Sequence, residues 1–442
     1  MGQSKNVKYH FICTFFVMTI AIYCSTGTLA PYANTLNLDY PGYPTADSEC
    51  QYLYNGDYNH FEALFRLLDG EPREAWNFSV LLRRILYNIL AYPLMKLFGH
   101  DLGGIITNLL LTWIAFITFT LFILRTVGIQ GAVAGMWLLA LYPGITYYVG
   151  QPFLYAFIVP GSLWLYMLLW LLERSDTARS VGLISLSMGV LFTGYDFIVF
   201  FGLAAIMLLL LRKQFLHIPL TVTGLLLPSI LWWGILRYIY AGSFRSNNTH
   251  VYSIIIKSYV LPKDYDKWFE LLKEFPGILL FNFFFSCFLF LPMLFLLMLF
   301  IAVLMKRQQY FTLVDITLLG SIFLIFLGNN LAPPYDGWQM RGTWIARLYQ
   351  PIFVVLVMSL VRMYHTIMHR KNERFTKWLA YSLLVMTLVG NGVVAFGPIL
   401  NDPWRVSSQL YWRFYQHSDP ESMQINLEKY GRRPLGFCRR QP

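Results

Sequence analysis

Charge is scarce in this chain. Of its 442 residues, 13% are Asp, Glu, Lys or Arg, about half the roughly 25% of an ordinary soluble domain. A soluble protein of this length has no way to cover its surface with so few charges. Soluble enzyme folds are therefore excluded. Motifs are missing as well. The chain has no Walker A loop, no Rossmann glycine fingerprint, no zinc-protease helix and no CxxC pair, which removes the chemistries those patterns mark. There is no internal repeat and no low-complexity tract. Cysteine is sparse, at five residues. Cys13, Cys24 and Cys287 fall in apolar runs and read as small packing residues.

What is present is apolar: 57% hydrophobic and 18% aromatic residues, with a mean hydropathy of +0.50. A membrane span needs about 20 mostly apolar residues to cross roughly 30 Å of hydrocarbon. Such runs occur near 9–29, 102–124, 129–149, 153–172, 179–195, 196–211, 216–239, 276–304, 310–329, 346–367 and 377–399. A twelfth run, 80–98, is apolar but carries Arg83, Arg84, Asn88 and Lys96. Its status decides the orientation of everything after it.

The net charge of +11 bears on that question before it bears on any partner, because membrane proteins concentrate Lys and Arg in cytoplasmic loops. If 80–98 lies along the outer interface without crossing, Lys5 and Lys8 are cytoplasmic. So are Arg125, Arg174, Arg179, Arg212, Lys213, Lys306, Arg307 and the cluster Arg370, Lys371, Arg374 and Lys377. If it crosses, every later cluster falls outside. The sequence thus predicts an all-α polytopic membrane protein with about eleven transmembrane helices. Its N-terminus is cytoplasmic and its C-terminus extracytoplasmic. The basic start and Thr28-Leu29-Ala30 resemble a signal peptide, but the first run is expected to be an uncleaved anchor. No nucleic-acid partner is implied.

This topology places 30–101, 240–275, 330–345 and 400–442 outside. The multi-span domain is expected over 1–400 and an outer tail over 401–442. Within the second outer segment, Trp268, Phe269, Leu271, Leu272 and Phe275 share one helical face, as an interfacial helix requires. Cys50 and Cys438 both fall outside, where oxidation is permitted, and a bridge between them is an expectation that geometry must meet. Asn77-Phe78-Ser79 and Asn247-Asn248-Thr249 are glycosylation sequons that matter only in a eukaryotic host.

The chemistry-bearing residues are outer carboxylates and arginines close to the membrane. A carboxylate can take a proton from an acceptor hydroxyl, and Arg can grip a phosphate leaving group bidentately. The first loop holds Asp47, Glu49 and Tyr54-Asn55-Gly56-Asp57-Tyr58, followed by Arg83-Arg84-Ile85-Leu86. Here the chain resembles the GT-C superfamily of integral-membrane glycosyltransferases, closest to bacterial members with a Tyr-Asp-Gly-Gln-Phe-Tyr motif and then Arg-Arg-Ile-Leu-x-Pro. Leu141-Tyr142-Pro143, Gly194-Tyr195-Asp196 and Arg347-Leu348-Tyr349-Gln350-Pro351 resemble later elements of the same superfamily, in order, over roughly residues 9–370. Asn55 stands where the family has Asp, Asp57 where it has Gln, and Asn88 where it has Pro. The tail from 400 has no counterpart.

The resemblance implies transfer of a sugar from a polyprenyl-phosphate donor, with inversion, on the extracytoplasmic face of a bacterial inner membrane, or of the ER in a eukaryote. The acceptor would be a lipid, a glycan or a protein. Asp57, Asp47 or Glu49 is the candidate base. Arg83, Arg84, Arg341 and Arg347 are candidate donor-phosphate ligands, and Asp196, Tyr54 and Tyr349 further polar site residues. No cofactor is firmly implied, and a divalent metal is possible but unsupported.

Bland readings stand beside these. Asp57 follows Gly56 as a turn residue would, and Asp47 and Glu49 fit solvated loop charges. Arg83 and Arg84 point about 100° apart on a helix, so one alone faces any given site. Arg341 and Arg347 fit snorkelling to headgroups, and Asp196 fits a helix cap. Asp264-x-Asp266 suits an exposed face better than a dication, given Lys263 and Lys267. A transporter or flippase of lipid-linked glycans would need broken or charged span centres and matched halves, and neither is visible. A non-catalytic GT-C-like subunit is the other alternative, which Asn55 keeps open.

Overall fold

The structure is a computed structural model that describes residues 2–25, 84–98, 100–142, 145, 149, 154–195, 197–239, 311–331, 351–369 and 374–395. Among these residues the protein is all-α, with no strand. In chain order the helices are α1 (Gly2–Ser25), α2 (Ile85–Phe98), α3 (His100–Thr126), α4 (Ile129–Ala140), α5 (Ile158–Glu173), α6 (Ala178–Phe192), α7 (Leu203–Leu211), α8 (His217–Ile239), α9 (Leu313–Leu331), α10 (Pro351–His369) and α11 (Arg374–Ala395). Each falls within or overlaps one of the apolar runs of the sequence. Among the described residues, three stretches are long and apolar enough to cross a membrane, Leu102–Thr126, His217–Ile235 and Ile352–His369. Large apolar side chains such as Ile230, Leu231, Phe323 and Val389 are exposed on the bundle's outside. In water such a surface would aggregate, whereas against lipid tails it needs no cover. This is a membrane protein.

Local chemistry sets several helix ends. Thr177 accepts the backbone N–H of Ser180 at 3.3 Å and so caps α6. Thr312 and Asp315 form a reciprocal capping box at the head of α9. The Asp315 carboxylate accepts the Thr312 N–H at 2.7 Å, and the Thr312 hydroxyl accepts the Asp315 N–H at 3.4 Å. The run 129–149 is not one continuous helix. Helix α4 stops at Ala140, with Leu141 as its C-cap, because Pro143 disfavours a helical backbone at the residue before it. The run 196–211 opens on a π turn, Ile198–Gly202, before α7. There the Ser321 hydroxyl of α9 donates to the Phe200 carbonyl at 2.6 Å, giving that acceptor a partner outside its own helix.

Helix α5 is the hub. It touches α3, α6, α7, α9 and α10, and one face from Ile158 to Leu172 is buried almost throughout. On one side, α6 packs closely on α8 through small residues. A Cβ at Gly189 would collide with the Gly224 carbonyl oxygen and lie 2.8 Å from that of Leu225. Ser185 donates to Thr221 across the same seam at 3.2 Å. Small residues let two apolar helices approach until their backbones touch, which is how helices associate where lipid supplies no hydrophobic drive. On the other side, α4 contacts α1, α3, α10 and α11, with the Tyr142 and Phe353 rings stacked at 3.4 Å.

Candidate functional site

Of the site residues read from sequence, Arg84 is the one among the described residues. Asp47, Glu49, Tyr54, Asp57, Arg83, Asp196, Arg341, Arg347 and Tyr349 lie outside them, as do Cys50, Cys438, both sequons and the 263–275 helix. Cys13 is described, and it is a free thiol on the exposed side of α1, not a packing residue of the bundle interior.

Arg84 sits immediately before α2 and is only 7% exposed. Its guanidinium lies 4.5 Å from the centre of the Tyr195 ring, a cation–π geometry that gains strength away from water. The Leu86 N–H donates to the Thr193 carbonyl at 3.3 Å. Arg84 and Leu86 on one side and Thr193 and Tyr195 on the other, far apart in sequence, therefore meet in the bundle. Gly194 is needed there because a Cβ would run into the Phe157 ring.

Beneath Arg84 lies a polar floor that sequence reasoning missed. The Tyr87 hydroxyl donates to the Asn108 side-chain oxygen, and the Asn108 amide reaches the Val149 carbonyl at 3.4 Å. Tyr87, Asn88 and Asn108 are all buried. Phe157 closes the floor, its ring 6.0 Å from that of Tyr87 and 6.0 Å from that of Phe197. The available signal was an Asn one turn after Arg84 and another inside an otherwise apolar run, since amides are placed in such surroundings at a cost.

A second polar cluster lies at the opposite end. Tyr166 of α5 donates to Asp315 of α9 at 2.6 Å, across 149 residues of sequence. Arg362 of α10 donates one nitrogen to Asp315 and the other to the Tyr166 hydroxyl, the latter at 2.7 Å. The Thr312 hydroxyl adds a contact to Asp315 at 2.8 Å. The carboxylate thus accepts four hydrogen bonds, one at Oδ1 from Tyr166 and three at Oδ2 from the two Thr312 groups and Arg362. Asp315 and Tyr166 are completely buried. Held by these donors, the carboxylate locks three helices together. Nearby, Arg212 caps α5 by donating to the Leu172 and Ser175 carbonyls at 3.2 Å and pairs with Asp176 at 2.8 Å. Arg174 stacks on Trp170 at 3.6 Å.

No family model, curated protein or solved structure matches this chain. The site is therefore read from its own geometry. Its two ends differ in kind. At the second end Asp315, Arg362, Arg212 and Asp176 are satisfied by helix ends and by each other. At the first, a buried guanidinium stands over an aromatic ring, above a floor of Tyr and Asn side chains. Among the described residues no group of three or more His, Cys, Asp or Glu side chains forms a metal site.

Proposed function

We propose that the protein is a membrane glycosyltransferase that uses a polyprenyl-phosphate sugar on the extracytoplasmic face. The observation that carries this reading is the meeting of Arg84 with Tyr195, at 4.5 Å. It brings Arg84, next to Arg83 in sequence, against Tyr195, next to Asp196 in sequence. The resemblance puts these two neighbourhoods in one site, and the contact supports that reading.

The proposed chemistry follows from those groups. A first-loop carboxylate, Asp57, Asp47 or Glu49, accepts the proton of an acceptor hydroxyl as its oxygen attacks the anomeric carbon. The bond from that carbon to the donor phosphate breaks from the opposite face, which inverts the centre. The electron pair leaves on the polyprenyl phosphate, where a guanidinium offsets the growing charge bidentately. Arg84, largely shielded from water, is the residue best suited to that task, because shielding strengthens its field at the leaving oxygen.

An eleven-span topology supports the same assignment. Arg125, Arg174, Arg212 and Arg362 belong to the end opposite Arg84, and the positive-inside rule makes that end cytoplasmic. Helix α2, at 14 residues, rises about 21 Å, short of the hydrocarbon thickness, which suits a helix held in the outer layer. A transporter reading would draw on the buried Asp315–Arg362 pair. Asp315 is held by four protein donors that join three helices, which fits a lock better than a carrier.

The test is a transfer assay with purified protein and a panel of polyprenyl-phosphate sugars. Turnover with at least one donor is expected. Arg84→Lys, which keeps charge but loses the planar fork, should lower kcat by at least about tenfold, the effect of roughly 1.4 kcal/mol in the barrier. One of Asp57→Ala, Asp47→Ala and Glu49→Ala should abolish turnover. Full activity in all four variants would sink the assignment.

A further inference from the structure

The last turn of α10 carries two histidines one turn apart, and nothing in the proposed transfer chemistry uses them. His365 and His369 have ring centres 4.1 Å apart, inclined by 39°. On a helix, residues four apart lie one above the other on the same face, so the two imidazoles are neighbours on the last turn of α10. The Nδ1 of His369 lies 2.9 Å from the His365 carbonyl oxygen. A carbonyl only accepts, so Nδ1 carries the proton, and the lone pair of His369 is on Nε2. This is the arrangement in which a ligating imidazole has its tautomer fixed by a backbone carbonyl behind it. In His365 the Nδ1 is buried with no hydrogen-bond partner, which leaves Nε2 as that ring's outward nitrogen. The His365 ring is seated against the α3–α4 turn. Gly128, at φ 115°, comes so close that a Cβ there would be 3.0 Å from His365 Cε1.

A purely structural account explains less. A single histidine at a helix C-terminus is adequately explained by the dipole and a free carbonyl. A second ring packed 4.1 Å away gains nothing further from that.

We propose that His365 and His369 chelate a divalent transition-metal ion through their Nε2 atoms at this end of the bundle. Imidazole pairs suit Zn2+, Cu2+ and Ni2+ and bind Mg2+ and Ca2+ poorly. Among the described residues no third protein ligand joins them, so water completes the coordination. Such a site is of the exchangeable kind, unlike a closed structural zinc centre. The ion would clamp the final turn of α10 where it meets Gly128, independently of glycosyl transfer at the other end.

The experiment uses the full chain in detergent, purified through a tag without histidine. Zn2+ is titrated by calorimetry, and Cu2+ is followed by electron paramagnetic resonance. One Zn2+ per chain is expected, with a Cu2+ spectrum showing coupling to two nitrogens. His369 is exposed, so His369→Gln leaves the packing intact. It should weaken Zn2+ by at least the about tenfold that losing even an outer partner costs, and reduce the coupling to one nitrogen. His365→Gln should do the same, while His217→Gln, a lone histidine at the head of α8, should change neither reading. Absence of Zn2+ binding by the native chain would overturn the proposal. So would undiminished binding in His369→Gln, or equal loss in His217→Gln.

Discussion

Asp315 and Arg362 show how a residue can look ordinary in sequence and be decisive in the fold. Asp315 stands at the edge of an apolar run, three residues after Thr312, where a capping acid belongs. Only its burial, with Arg362 and Tyr166 closing on it, reveals a tie between three helices. Opposite charges in two separate apolar runs were the one legible sign, and sequence gives no means of pairing runs. Arg84 is the converse case. It stands out in the sequence, beside Arg83 at the head of an apolar run, but the Tyr195 ring against it does not, nor do Tyr87 and Asn108, because an apolar run hides its amides. Removing one partner of a buried pair costs about 3–5 kcal/mol, while replacing both with apolar residues is often neutral. Asp315→Ala should therefore lower the thermal unfolding midpoint in detergent sharply. Asp315→Leu combined with Arg362→Met should recover much of that loss. Equal midpoints for the native chain and Asp315→Ala would show that the lock carries no stability.

At the scale of the element, hydropathy reveals a helix more readily than its ends or its neighbours. The runs 179–195 and 216–239 correspond closely to α6 and α8, but their pairing depends on Gly189 and Gly224, which hydropathy scores as neutral. The runs 129–149 and 196–211 were read as single spans. Pro143 ends the first helix early, and the second begins with a π turn at the Phe200 carbonyl shared with Ser321. Two glycines on α6 separate close approach from mere composition. At Gly182 a Cβ would meet Leu220 at an ordinary 3.5 Å, whereas at Gly189 it would strike the α8 backbone. Gly182→Ala should leave the unfolding midpoint unchanged or higher, since Ala favours the helix. Gly189→Leu should cost about 1–3 kcal/mol or more, as overpacking does where backbone cannot yield. Equal midpoints for the two variants would remove the case for a seam closed by backbone contact.

For the whole molecule, the small stock of charge is what gives the bundle its polarity. Its described ends are chemically unlike: Arg125, Arg174, Arg212 and Lys213 gather at one, and Arg84 with Tyr87 and Asn108 at the other. Spread over a soluble surface, the excess of 34 basic over 23 acidic residues would suggest an acidic partner. Sorted by end, much of it reads as orientation, because short loops rich in Lys and Arg stay cytoplasmic. The side on which any chemistry occurs therefore depends on 80–98 remaining outside. In a chain whose five cysteines are replaced by Ser, single cysteines can be introduced at Leu97, 75% exposed near the end of α2, and at Lys213, exposed in the turn before α8. A membrane-impermeant thiol reagent should label Leu97→Cys on intact cells or sealed vesicles of native orientation. It should reach Lys213→Cys only after permeabilisation. The reverse pattern would turn the molecule over and put Arg84 on the cytoplasmic side, where an extracytoplasmic transferase has no use for it. Labelling of both from one side would mean that an odd number of the crossings expected between residues 97 and 213 is absent, and the positive-inside argument would fail with it.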